Sequence, residues 1–551
     1  MQSETATTAF EPKKHRQIED SIVHGMNSFW VAADAEFDAG RKLLRKTLGE
    51  TKRSPFLWAV GEPESESQFL VRMDALHRRF WKAESDKEQN GTGFVTCALE
   101  SQLARLALTA YGFDLEMEFE SQIDDCELAS RPLDSQLSFV EYPLWRIASE
   151  RSEIEPVRLI IQRMERLIRD CLDGDGWPEA RLAKSIGLLT ASWSRCCELL
   201  KFLGRQIDPD VYFLLCELNQ QLFRMKRENG SLLFAEATGG LNCNSFKKCL
   251  RRNFSDSFLD KLRKGKKALR STRQPAASSV SEWGQIGVLQ AGWKPRSSKI
   301  GIAFGQQVVH LDVCHGDSLV QGECLPQLTI NDRRSNVKSE IGVSAYLKFD
   351  YGELLELEIE YEGAIVQRQI LFLAAHKLLF VNDVVSTIEP AKLRYVAEYP
   401  LGDNVEIVRE SETNEFYLKR EDSLNLVLPL ALPEWKTQID NAKVSFNENS
   451  FEISKSKSGN GFAMPIVIDL DCKRSLRPRT WRRLTVAEGM QVVDEDAAAA
   501  FRVQIGNDQW LFYRSVSQTG NRTFLGQNYA DEFFVGKIDR NGEVKSLLEI
   551  E

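Results

Sequence analysis

The sequence predicts a multidomain α+β chain: an all-α N-terminal domain over residues 1–270, a linker over 271–281, and a large antiparallel β-sandwich over 282–551. Two observations carry most of that prediction. Apolar residues recur at helical spacing up to about residue 270, and after Ser281 the apolar period changes to two. Between them lies a basic stretch from Phe246 to Gln274, with eleven Lys/Arg and two Asp, followed by a Pro-Ala-Ala-Ser-Ser tether. The basic stretch reads as a solvated last helix, or else as an anion-binding rim near the domain junction.

In the first half, "FLVRMDALHRRFWKAE" places Phe69, Met73, Leu76 and Phe80 on one stripe, and "VTCALESQLARLALTAYGF" continues with Leu99, Leu103, Leu106 and Ala110. Further helices read from "EPVRLIIQRMERLIRDCL", "EARLAKSIGLLTASWSRCCELLKFLG" and "PDVYFLLCELNQQLFRMKRE", with "DGDGWPEA" and "ENGS" as loops between them. In the second half, "QIGVLQAGW", "SKIGIAFG", "QVVHLDVC", "ELLELEIEY", "IVQRQILFLA", "KLLFVNDVV", "AFRVQIG" and "QWLFYRSVS" read as strands bounded by turn residues. Hairpin-length connections without long helical inserts make the sheets antiparallel.

Composition narrows the function classes. A net charge of −9 argues against a general nucleic-acid binder. No run of eighteen apolar residues occurs, so no transmembrane helix is expected. The start "MQSETATTAFEPKKHRQIED" lacks an apolar run of signal-peptide length, which leads to the expectation of a cytoplasmic protein. Eleven cysteines without a CxxC pair suggest free thiols in a reducing compartment and no structural zinc. No cofactor is expected.

The stretch "VVHLDVCHGDSL" gathers His310, Asp312, Cys314, His315 and Asp317. Val309, Leu311 and Val313 alternate with His310, Asp312 and Cys314, so the segment reads as a strand with a half-exposed polar face, followed by a hairpin turn at Gly316-Asp317. Nothing nearby supplies a third or fourth ligand, so no metal site is expected. Elsewhere, His24, His77 and His376 read as structural.

The second half also carries a family resemblance. "EWGQIGVLQAGWKPRSSKIGIAFG" resembles the opening strand pair of the heparinase II/III-like polysaccharide lyases. "YLKFDYGELLELEIEYEGAIVQRQILFLAAHKLLFVNDVV" is similar to that family's run of a polymer-facing strand, an Arg-bearing strand and an apolar strand ending in Asp. The resemblance implies an α/α toroid-like first domain before the β supersandwich. It also implies β-elimination on uronate-containing glycans: a base removes the proton α to the carboxylate, an acid protonates the departing oxygen, and a donor neutralises the carboxylate.

The family's catalytic His sits on a Gly-His-rich loop between the second and third strands. One alignment makes "CHGDSL" a relic of that loop, with His315 catalytic and Asp317 orienting it. The other places "QVVHLDVCHGDSLVQGE" on the strand–turn–strand that follows the loop, and the alternation through Val309, Leu311 and Val313 favours this second alignment. The loop is then missing, and a catalytically degenerate, carbohydrate-binding or structural protein is expected. An active lyase on anionic glycans and a protein-interaction module are the alternatives.

By the same resemblance, Asn27 beside His24 would neutralise the carboxylate, Tyr142 or Tyr111 would supply the phenol, and Asn242 and Asn244 in "TGGLNCNSF" would bind sugar. Trp481, Arg482 and Arg483, closing the cationic run "KRSLRPRTWRR", and Tyr513 and Arg514 in "WLFYRSVSQTGNRTFLG" pair arginine with aromatic rings. That is the chemistry that recognises a carboxylated or sulfated sugar, so an anionic polysaccharide or oligosaccharide is the expected partner. Cross-strand packing is the other reading of those residues.

Overall fold

In a computed structural model of the chain, the described residues are 132–141, 143–144, 155–228, 230–234, 275–293, 297–305, 307–421 and 423–551. Asn27, Tyr142, Asn242 and Asn244 lie outside them, as do His24, His77, Tyr111 and the whole basic stretch from Phe246 to Gln274. The chain divides into two compact units: residues 1–176, 185–222 and 237–272 form the first, and residues 177–184, 223–236 and 273–551 form the second.

The described part of the first unit is helical. A short helix α1 (Pro132–Gln136) runs into a π-helical turn over Leu137–Glu141. Three longer helices follow: α2 (Glu155–Cys171), α3 (Ile186–Phe202) and α4 (Pro209–Met225). On α2, Val157, Ile160, Met164, Ile168 and Cys171 are buried, the spacing of a single apolar stripe. On α3 burial goes nearly all round, from Leu189 through Trp193 to Leu200. Its buried Arg195 is therefore paired: Nη2 donates to Glu141 Oε2 at 2.8 Å, and Ser192 donates to the same carboxylate. The Asp208 carboxylate accepts the Asp210 N–H at 2.7 Å at the start of α4. No described helix is long and apolar enough to cross a membrane.

The second unit is built from antiparallel sheets. The first contains β1 (Ser279–Ser281), β2 (Ile286–Gln290), β3 (Lys299–Gly305), β4 (Val308–His315) and β5 (Asp317–Glu323) in sequential order. An eleven-stranded sheet follows, with Gly352–Tyr361, Ala364–Leu373, Leu378–Pro400 and Ser450–Asp469 at its centre. A third sheet contains Arg479–Leu484, Ala498–Ile505, Asp508–Ser515, Phe533–Ile538 and Val544–Ile550. The eleven-stranded sheet is covered on both faces. Leu379, Val381 and Val385 join the core shared with Ile302, Val309 and Leu311 of the first sheet. Leu378, Phe380 and Val384 join the core shared with Trp481, Phe501 and Phe512 of the third. Two buried faces explain why "LLFVNDVV" is apolar without alternation.

Among those apolar residues, Arg368 and Asp383 face each other across paired strands. Both are buried, and the guanidinium forks onto the carboxylate at 2.7 and 2.6 Å. Tyr395 also donates to Asp383, and Arg368 donates to the Cys324 carbonyl. These are the Arg and Asp of the resembling strands, and they form a satisfied buried ion pair. The described cysteines are free thiols.

Candidate functional site

The first sheet has two different faces. Ile300, Ile302, Phe304, Val309, Leu311 and Val313 point into the sandwich core. On the opposite face, strand register lines up Ala303, His310 and Glu323, and beside them Gly301, Asp312 and Gln321. Residues 177–184 and 223–234 lie over this second face, and three sets of contacts hold them there.

The first set is at Asp312, which is fully buried. Its Oδ2 accepts from Arg227 and from the Phe234 N–H at 3.0 Å; its Oδ1 accepts from Ser318 at 2.6 Å and the Cys314 thiol at 3.0 Å. The second is at Lys299, whose Nζ donates to the carbonyls of Arg224 and Lys226 at 2.9 and 2.6 Å, at the C-terminal end of α4. Burial lowers the Lys299 ammonium to about 8. The third is at the turn 282–285. Ala180 N–H donates to Gly284 O at 2.6 Å, and Trp177 Nε1 donates to Ser279 Oγ at 3.0 Å. A β-carbon on Gly284 would meet the Pro178 carbonyl oxygen at 2.7 Å, so only glycine permits this approach.

These contacts leave a cleft of about 920 Å³. Its inner wall includes Phe234, Gly284, Ala303 and His310, and its rim carries Trp283, Glu282, Glu323, Glu340, Arg181 and Lys184. Trp283 is 52% exposed, an unusual state for an indole held by a pinned turn. His310 meets the Phe234 ring edge-on at 5.7 Å, and its Nε2 has no hydrogen-bond partner among the described residues. Burial, with Lys184 adding to it, lowers its imidazole to about 4, so the ring is neutral at pH 7.

That shift has a consequence for stability. The unfolded imidazole takes up a proton near its usual pKa of about 6.5, whereas the folded one resists until about 4. Stability is therefore lost as pH falls through this window and levels off below it. His310→Gln should remove about 1–2 kcal/mol of the drop between pH 7 and 4.5, after allowance for partial exposure. Urea unfolding of both proteins at the two pH values measures it; equal drops would contradict the assignment.

The structure corrects several sequence expectations. The polar face of β4 is not half-exposed: Asp312 and Cys314 are buried and hydrogen-bonded to each other, and only His310 reaches the cleft. The β4–β5 hairpin forms as expected, with Gly316 at φ 81°. His315 ends β4 outside the cleft lining, its Nδ1 3.0 Å from Ser298 Oγ. Burial and the nearby Lys377 lower its pKa. Asp317 is paired with Arg420 at 2.9 Å rather than directed to His315 as an orienting group.

Trp481, Tyr513 and Arg514 are buried in the sandwich, so they do not present a sugar-facing surface. Trp481 donates to the Leu432 carbonyl at 3.2 Å, and Arg514 donates to Gln367 and pairs with Glu532, each at 2.7 Å. Arg482 and Arg483 are exposed, but Arg483 is paired with Glu495 and neither lines the cleft. Within the same cationic run, Arg474 pairs with Asp469 and Arg479 with Glu410 and Glu415. Among the described residues, no group of three or more His, Cys, Asp and Glu is arranged to hold a metal ion.

Sequence reasoning missed the cleft because its walls come from residues 179–184, 234, 282–285 and 303–340. One local signal was present: a tryptophan beside a glycine in the turn "SEWGQ".

No protein-family model matches the chain, and no curated protein matches it. Solved structures do. A heparinase III gene product with methylated lysines superposes with a TM-score of 0.51 at 10% identity, covering 94% of this chain and 96% of the other. A second heparinase III structure gives 0.50 at 12% identity, covering 91% and 81%. At these identities the likeness is one of fold, and the chain has the fold of the solved heparinase III structures.

Proposed function

We propose that this chain is a heparinase II/III-like protein, related to the polysaccharide lyases, that binds a glycan in the cleft beside Trp283 and does not carry out efficient elimination. One observation supports the reading above the rest: an exposed indole on a pinned turn overhangs a cleft lined by polar side chains, in a fold shared with heparinase III structures. An aromatic ring packs a pyranose face while polar groups around it orient the hydroxyls. Elimination needs more than the described lining offers. His310 is neutral and sterically close to the cleft, but no tyrosine lines it among the described residues.

The experiment uses the full chain with heparin, heparan sulfate, chondroitin sulfate, alginate and uncharged oligosaccharides. Calorimetry reads binding, and ultraviolet absorbance of the unsaturated product reads elimination. Binding without product is expected, with affinity falling about tenfold or more in Trp283→Ala. Product that disappears in His310→Ala or His315→Ala would replace this reading with an active lyase. Absence of binding to every glycan would favour the protein-interaction role.

A further inference from the structure

The charge around the cleft says something about the glycan that the fold likeness does not. Its described lining carries four carboxylates, Glu179, Glu282, Glu323 and Glu340, against two cations, Arg181 and Lys184. Glu179 and Arg181 form an ion pair with each other. That leaves three carboxylates around one lysine at the mouth, all four of them exposed. Glu323 is the β5 partner of His310 in the sheet register, and it lines the cleft. A concave wall with an excess of one sign of charge focuses its field on whatever enters. A sulfated or uronate-rich chain would meet repulsion here, and the one guanidinium of the described lining, Arg181, is engaged by Glu179.

We infer that the cleft takes a glycan bearing free amino groups, such as a de-N-acetylated hexosamine oligomer, in preference to sulfated chains. The inference rests on the cleft being a glycan site. Trp283 supplies the ring that covers a pyranose face, and the rim carboxylates pair with the ammonium groups along its edge. Because the rim is exposed, the selectivity is electrostatic and salt-sensitive.

The test measures binding of the full chain to three short oligomers: deacetylated chitosan, fully acetylated chitin and heparin. At low salt the deacetylated oligomer should bind about tenfold tighter than the acetylated one, and high salt should erase most of that difference. Glu323→Gln/Glu340→Gln should abolish the preference for the deacetylated oligomer, with an unaltered urea midpoint showing that the fold is intact. Equal affinity for the acetylated and deacetylated oligomers would overturn the inference while leaving glycan binding in place. So would tightest binding of heparin, or a preference that persists in the double variant and thus comes from the chain's overall charge of −9. Failure of all three oligomers to bind would instead remove the glycan reading itself.

Discussion

Asp383→Ala is expected to lower the unfolding free energy by about 3–5 kcal/mol, because it strands the buried Arg368 guanidinium without its countercharge. Both side chains are at most 1% exposed, so water cannot replace the lost partner. The Tyr395 hydroxyl loses its acceptor in the same step. Charge, rather than volume, dominates the cost. Arg368→Met/Asp383→Leu should therefore recover most of the stability, since a buried ion pair often exchanges for apolar groups at little net loss. Urea denaturation of the single and double variants measures both values. A double variant as unstable as Asp383→Ala would show that the hydrogen bonds to Tyr395 and the Cys324 carbonyl, rather than the ion pair, hold this part of the core together.

Asp312→Ala should be the next most costly change, at about 2–4 kcal/mol. Asp312 gathers Arg227, Ser318, Cys314 and the Phe234 N–H around one carboxylate, and the first and last of these anchor residues 223–234 over the first sheet. Releasing them should also loosen Phe234 from His310. Loss of the Asp312 charge by itself lowers the His310 imidazole, but burial is the larger cause of its depression, so on opening it should titrate closer to its usual value, which NMR follows directly. A destabilised variant with His310 still titrating near 4 would show that the anchor and the cleft are independent.

Much of the fold was legible in the sequence because it is locally encoded. The change of apolar period marks where the strands begin, and β4, Gly316 and β5 follow from alternation and one glycine. Arg368 and Asp383 were legible only as the Arg and the Asp of the strands that resemble the lyase family. Which sheets cover the two faces of the eleven-stranded sheet was not legible, since a strand buried twice shows an unbroken apolar run whatever lies on either side.

The site was less legible still. In "KRSLRPRTWRR" the sequence displays cations and a ring, but not the carboxylates of Asp469, Glu410, Glu415 and Glu495, outside that run, that occupy three of those arginines. His310 and His315 look alike as letters; strand register puts one in the cleft and the other at the hairpin end. Trp283 lies in a stretch that resembles an opening strand, whereas the turn that carries it packs Gly284 against Pro178, more than a hundred residues away in sequence.

The double coverage of the eleven-stranded sheet also sets where the chain can be cut. A fragment ending near residue 472 keeps every strand of that sheet, and by sequence it looks like a natural stopping point. It would nonetheless bare Leu371, Leu378, Phe380, Val384 and Val467 as one continuous greasy slab, the kind of surface that drives chains to clump. The last eighty residues thus act as a cover for the sheet beneath them, and a fragment that keeps the sheet must keep them too.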